Sequence, residues 1–269
     1  MEAWMMIKEE TEERLNSMIW SFSRVNSASK CLYAWYLQYV IGYTGQPNAY
    51  AQFGTTCHET IEKFLKGELN MFNASEYYQK RYAELVTCDF PPNKYVDLGE
   101  KTFNQGLQYF NNINFDFDRY EVLGVEKELL FNVGKYPFRG YADAIYRDRA
   151  NNNIILCDQK TSSFKYLKDG SVSKINEEHY REFRRQLYLY SIPLIEKYGK
   201  VDYLKWNMIR DQRKIIIKWD EKEYKETIDW CIKSIESLKN EILWLPDTSN
   251  DFWCNHICSM SKTCIYHNT

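Results

Sequence analysis

Long apolar runs are missing from this 269-residue sequence. No stretch approaches the ~20 consecutive apolar residues that a helix needs to span a bilayer, which excludes a membrane-spanning helix. The first thirteen residues, Met1 to Glu13, mix a few apolar residues with acids and lack the basic segment and apolar run of a secretory signal, so a cytoplasmic protein is expected. Proline and glycine are scarce and scattered (6 and 11 residues), with no repeat, low-complexity tract or long like-charge block to mark a linker. A single domain is therefore expected, with residues 1–50 and 221–269 flanking a central part, 51–220. The P-loop pattern GxxxxGK[ST] is absent, which argues against an ATP-driven motor. Net charge is only −2, so any site for a polyanion has to be basic locally rather than globally.

What is present is an ordinary globular composition, 44% hydrophobic and 27% charged, with a strong alternation of periodicities. Helical spacing predicts a helix through Cys31 to Val40 capped by Ser27 or Ser29, and another over Thr56 to Lys66, where Thr56 and Glu59 have capping-box spacing. Two more are predicted near Ala74 to Val86 and Tyr95 to Phe110. The pattern then changes. Val125, Leu129, Phe131 and Val133 suit one face of a strand, Gly134 to Pro137 a turn, and Phe138 to Tyr146 a second strand. After the turn at Asn151–Asn153, the apolar run from Ile154 predicts a third strand, deep in an antiparallel meander. A long helix over Glu177 to Lys197 follows, then a hairpin of Tyr203–Ile209 and Lys214–Trp219, and a last amphipathic helix from Ile228 to Leu245 ended by Pro246. The fold class is mixed α/β with a partly antiparallel central sheet.

The chemistry-bearing residues concentrate around the third strand. Asp158-Gln159-Lys160 closes it, and a period of two puts Asp158 and Lys160 on one face. Strand ends are commonly polar, so an isolated D-x-K is more often solvation than a site. Asp143 lies on the neighbouring predicted strand, ~4.8 Å away in an ordinary ladder, near enough to share a hard cation with Asp158. Gln186 interrupts the apolar stripe of the long helix, with Tyr190 one turn on; a rim glutamine bonded to backbone is the plainer alternative. His58 sits at the edge of its helix's apolar face, where a lone histidine is usually structural. Between Gln159 and Arg185 seven basic residues face four acidic ones, with Phe164, Tyr166, Tyr180 and Phe183 interleaved. Phosphate contact with base stacking is one reading and a solvated helix face over core aromatics the other.

Cys254, Cys258 and Cys264 give C-x3-C-x5-C, a density that points to metal binding. Such a trio needs a fourth ligand, and His267 would complete a local Cys3His zinc site. Cys57, Cys88, Cys157 and Cys231 are isolated and expected to be buried.

Taken in order, His58, Gly140-Tyr141-Ala142-Asp143, Asp158-Gln159-Lys160 and Gln186-Leu187-Tyr188-Leu189-Tyr190 resemble the RecB-like branch of the PD-(D/E)XK nucleases, a branch that includes the CRISPR-adaptation exonucleases and the AddB nuclease domain. The resemblance implies a restriction-endonuclease-like core, a mixed central sheet flanked by helices. It implies that His58, Asp143, Asp158 and the Gln159 carbonyl bind Mg²⁺ or Mn²⁺, that Lys160 orients water and stabilises charge on the phosphate, and that Gln186 and Tyr190 position the strand. Asp158 stands where many relatives have glutamate. Cys31 resembles the N-terminal cysteine that joins three C-terminal ones around a [4Fe-4S] cluster, although relatives often show C-x2-C where this chain has C-x3-C. The implied activity is metal-dependent cleavage of single-stranded DNA or DNA ends, most naturally as an exonuclease. A non-catalytic DNA-end-binding subunit of a repair, recombination or CRISPR-adaptation complex is the alternative, and a zinc-tail protein with an accidental D-x-K is a third.

Overall fold

The computed structural model describes residues 2–267, with side chains described from Glu9 onward. In chain order the helices are α1 (Glu2–Asn16), α2 (Phe22–Ala28), α3 (Leu32–Tyr36), α4 (Ala49–Leu65), α5 (Ala74–Leu85), α6 (Leu98–Asn111), α7 (Glu177–Tyr198) and α8 (Glu221–Lys239). The strands are β1 (Tyr120–Val133), β2 (Tyr136–Asp148), β3 (Ile154–Lys160), β4 (Tyr203–Met208) and β5 (Arg213–Lys218). They form one five-stranded sheet in the order β1-β2-β3-β4-β5. The chain divides into two compact units, one of residues 47–129 and 141–221, the other of residues 1–46, 130–140 and 222–269.

The first unit holds the middle of the sheet. β2 pairs antiparallel with β3, β3 parallel with β4, and β4 antiparallel with β5. The single parallel step follows from α7, the crossover between β3 and β4, as parallel neighbours require. The mixed α/β class with a central third strand is what the structure shows; Leu156 and Cys157 of β3 are fully buried. A helical layer packs on the sheet through Phe53, Cys57, Ile61 and Phe64 of α4, Tyr78 of α5 and Phe110 of α6, against Ala144, Tyr146 and Cys157.

In the second unit, Trp35 stacks on Trp20 at 6.3 Å and on Trp244 at 5.5 Å. The C-terminal segment docks where Gln46 N–H donates to Ser259 O at 2.8 Å. Gly45 is required there by close approach, because a Cβ would lie 2.8 Å from that of Ser259.

Several helix boundaries differ from the sequence expectation, each for a local reason. α4 starts seven residues early, capped by Asn48, whose Oδ1 accepts from Ala51 N–H at 2.9 Å. Thr56 is therefore an interior residue donating to Gln52 O rather than a cap. The helix after residue 31 is capped by Cys31 itself, its sulfur accepting from Ala34 N–H, while Ser29 closes α2. α8 stops at Lys239 and leaves Ile242, Leu243 and Leu245 exposed. Cys88 is half-buried, unlike Cys57, Cys157 and Cys231.

α6 carries a glycine at a helix-interior position for a packing reason. A Cβ at Gly106 would meet the Tyr78 hydroxyl at 2.3 Å and the ring carbon bearing it at 2.5 Å. Gly106→Ala gains about 1 kcal/mol of helix propensity, but overpacking of a closed core costs about 1–3 kcal/mol. Urea unfolding should therefore show the variant less stable than the parent, and a more stable variant would mean that Tyr78 has room to move.

Candidate active site

The ladder between β2 and β3 ends at Ala144 opposite Cys157. One step further along this antiparallel register Asp143 faces Asp158, and ladder bonding gives way to side-chain bonding. The Gln159 N–H donates to Asp143 Oδ2 at 2.6 Å, and the Gln159 carbonyl turns to His58 Nε2 at 3.0 Å. The Gln159 side chain leaves by the other face, where its Oε1 accepts from Asn207 at 2.9 Å. A polar strand end inside the protein thus presents two aspartates and a carbonyl to one cleft.

Lys160 returns to the face of Asp158, as its period-two spacing dictates. Its Nζ lies 2.7 Å from Asp158 Oδ2, donates to Gln186 Oε1 at 2.8 Å and sits 4.5 Å above the Phe183 ring. Gln186 closes the circuit by donating to Asp158 Oδ1 at 3.4 Å. Gln186 is consequently no rim residue; it holds the ammonium and carboxylate in register. Tyr190, 7% exposed, is buried beside both acids, and burial with their negative charge holds its phenol well above the usual range. Tyr190 hydrogen-bonds Gln186 and the Tyr141 backbone and does not line the cleft.

His58 on α4 meets the acids from the opposite side. Its Nδ1 is 3.6 Å from Asp143 Oδ2 and 3.7 Å from Glu126 Oε1. Burial alone would lower its pKa, but the charge of Asp143, the Glu126 carboxylate and Asp158 reverse this and hold it at about 9. Burial pushes Asp158 the other way, up to about 6, opposed first by Lys160 and reinforced by Asp143.

Glu126 is the member that sequence reasoning missed. It reaches His58 because β1 is bulged: Val122 and Val125 both pack on the core, a spacing of three that strict alternation forbids, and Glu126 has φ 47°. A left-handed backbone at a non-glycine residue costs of order 1–3 kcal/mol and recurs where function fixes it. The only sequence sign was the break in alternation at Gly124-Val125-Glu126.

The donor set fits a hard divalent cation. One ligand atom each from His58, Glu126 and Asp143 lies within 4.8 Å of the others, and the buried Asp158 carboxylate and the Gln159 carbonyl open on the same cleft. Carboxylate and carbonyl oxygens with one imidazole suit Mg²⁺ or Mn²⁺.

A family model described as the PD-(D/E)XK nuclease superfamily matches residues 19–265. The chain belongs to that superfamily. No curated protein matches it. Among solved structures it is similar to a protein from Eubacterium rectale named "putative exonuclease", at 13% identity and a TM-score of 0.49, over 89% of this chain and 86% of that one.

Around this superfamily core the interleaved aromatics have settled differently from the stacking reading. Phe164 and Phe183 are each 6% exposed and stack on one another at 5.2 Å, so they serve as core and as a platform under Lys160. Tyr166 donates to Asp211 at 2.8 Å beneath Arg213, and Tyr180 lies under Arg184. Among the interleaved cations, Lys165, Lys168, Lys174 and Arg181 are exposed.

The four cysteines Cys31, Cys254, Cys258 and Cys264 come together in the second unit. Burial pushes the Cys258 thiol up to about 11, and Cys31, Cys254 and Cys264 add to the rise through their proximity. Cys31 Sγ accepts N–H groups from Ala34 and Asp247, each at 3.4 Å. His267 is turned to Asn255 Oδ1 at 2.9 Å.

Stability should report the charge balance in the cleft. His58 is held above its ordinary 6.5, so its stabilising contribution is complete below that value and disappears as pH rises through about 9. Asp158 keeps its proton up to about 6 instead of 3.8, and that contribution is lost over the same lower interval. Metal-free protein should therefore lose stability from both groups between about pH 4 and 9. A divalent ion bound there would replace the departing protons. The rise in melting temperature on adding Mg²⁺ should be larger at pH 9 than at pH 6, and a flat or opposite trend would contradict the assignment.

Proposed function

We propose that this superfamily member is a metal-dependent deoxyribonuclease, an exonuclease on single-stranded DNA or DNA ends. The observation that carries this reading is the gathering of Asp143, Asp158, His58 and Lys160 around one cleft of about 480 Å³ that also admits Thr161, Ser162 and Arg210, with Glu126 3.7 Å from His58. A binding subunit needs cationic grip; it has no need of a buried carboxylate pair tuned against a lysine.

In this reading Asp143, Asp158, Glu126, His58 and the Gln159 carbonyl hold Mg²⁺ or Mn²⁺. The bound ion supplies a Lewis acid for a phosphoryl oxygen and lowers the pKa of attacking water. Lys160, fixed by Gln186 and Phe183, places its ammonium where charge grows on the scissile phosphate, and its pairing with Asp158 keeps it within reach of the water. Gln186 keeps Asp158 from rotating away. The exposed lysines between residues 165 and 174 give the strand a diffuse electrostatic approach.

The cysteine group is read as a [4Fe-4S] site of Cys31, Cys254, Cys258 and Cys264. Its support is the gathering of the four cysteines, N–H groups aimed at Cys31, and a His267 engaged elsewhere. When bound, the cluster crosslinks residue 31 to a segment more than two hundred residues away, a structural constraint. The family match spans both compact units, which supports treating residues 1–269 as one RecB-like nuclease domain. A cytoplasmic protein working with recombination, repair or CRISPR-adaptation partners is consistent with this reading. Among the described residues no helix is long and apolar enough to cross a membrane.

The decisive test is cleavage of end-labelled single- and double-stranded DNA with Mn²⁺. Lys160→Ala and Asp158→Ala should each lower the rate by about 10²–10⁴-fold, and Glu126→Gln by about 10–100-fold, as for a group that tunes metal affinity. Equal cleavage by all variants, or none by the parent, would remove the enzymatic reading. Separately, anaerobically purified protein should contain four irons and broad absorption near ~400 nm, lost in Cys31→Ala. Colourless protein with one zinc, indifferent to Cys31→Ala, would assign the site to zinc instead.

A further inference from the structure

The cleft holds a further cation that neither the sequence motifs nor the preceding mechanism uses. Arg210 lies in the turn between β4 and β5, one residue beyond Ile209, whose N–H donates to the Lys160 carbonyl at 2.9 Å. That bond fixes the start of the turn to the end of β3. Arg210 is half-buried and lines the same cleft as His58, Asp143, Asp158 and Lys160.

Its surroundings immobilise the guanidinium while leaving most of it unused. Arg210 Nε donates to Gln105 Oε1 at 2.9 Å, and Gln105 Nε2 donates back to the Arg210 carbonyl at 3.3 Å. Gln212, with φ 54°, donates to Gln105 O at 3.0 Å and to Ile209 O at 2.7 Å. On the other flank Asp211 accepts from Ser163 Oγ, from Phe164 N–H at 2.9 Å and from Tyr166 OH at 2.8 Å. The turn is thus held from α6 on one side and from the 161–166 segment on the other. Among the described residues no carboxylate pairs with Arg210, and its two terminal nitrogens have no partner. Neighbouring cations are committed: Lys160 to Asp158 and Gln186, Arg184 to Glu177 at 2.9 Å.

A guanidinium anchored through Nε by a neutral amide, with four N–H donors free in a fork, is suited to two oxygens of a phosphate. Lys160 already serves the scissile position. We propose that Arg210 grips the non-bridging oxygens of the backbone phosphate adjacent to the scissile one, and so sets the register of the strand in the cleft. This rests on the nuclease reading of the same cleft. Arg210 acts on substrate position and carries no proton in the reaction.

The test separates the two ideas by measuring binding without turnover. In a Lys160→Ala background, affinity for a single-stranded oligonucleotide is measured with Ca²⁺ against salt concentration, with and without Arg210→Gln. Loss of one phosphate contact should weaken binding about tenfold and flatten the slope of log affinity against log salt by about 0.7. Oligonucleotides with one neutral methylphosphonate at successive positions provide a measurement that leaves the protein intact. The Lys160→Ala parent should lose affinity at the position beside the cleavage point, and the Arg210→Gln protein should lose no more there. An unchanged slope in Arg210→Gln, or equal sensitivity of both proteins at every methylphosphonate position, overturns the role of Arg210 while the nuclease reading stands. Failure of the unsubstituted protein to bind DNA with Ca²⁺ overturns both.

Discussion

Like charge gathered in a confined space is the constraint on which the cleft is built. Asp143 and Asp158 face each other across the end of a ladder, Glu126 approaches over His58, and all depend on the same few positive groups. In the protein alone, the His58 imidazolium and the Lys160 ammonium supply that positive charge, which is why burial fails to keep the histidine neutral and succeeds in raising Asp158. Those departures have opposite origins but one meaning: the pocket is short of positive charge. A divalent cation would relieve the shortage more completely than protons do, and under the proposed metal role His58 would be neutral.

Backbone features, more than side-chain identity, create this arrangement. Because the β2–β3 ladder ends at Ala144 and Cys157, the Gln159 N–H and carbonyl are released to Asp143 and His58 instead of a neighbouring strand. The bulge at Glu126 does the same for β1, trading a regular backbone for a carboxylate aimed at His58. Irregularity appears where strands leave the close-packed core, so the core's regularity and the site's departure from it are complementary.

The sequence revealed the parts with strong periodicity and those fixed by short spacing. β3 was legible as an apolar run, and its alternation placed Asp158 with Lys160 directly; α7 was legible because Phe183, Leu187 and Leu194 repeat at helical intervals. Glu126 was hidden because a bulge has no residue signature beyond a missed beat in alternation. The start of α4 was misplaced because Thr56 and Glu59 imitate a cap inside a helix already begun at Ala49. For Phe164 and Phe183 the sequence left base stacking and core packing both open; the structure stacks the two rings on each other as core, a gain that mutual burial of large rings explains.

Arg210 illustrates a different limit. In sequence, Arg210-Asp211-Gln212-Arg213 is a polar turn, and polar turns are ordinarily solvated. What distinguishes it is the direction of its bonds. Asp211 spends its carboxylate on the 161–166 segment and not on the adjacent Arg210, although a nearby acid is the usual fate of a surface arginine. Gln105, a neutral acceptor, takes the Nε position where a second carboxylate would have quenched the charge. An arrangement that stiffens a cation without neutralising it keeps its attraction for an anion from outside, and in a cleft already crowded with carboxylates that positive charge gives a phosphodiester a reason to enter.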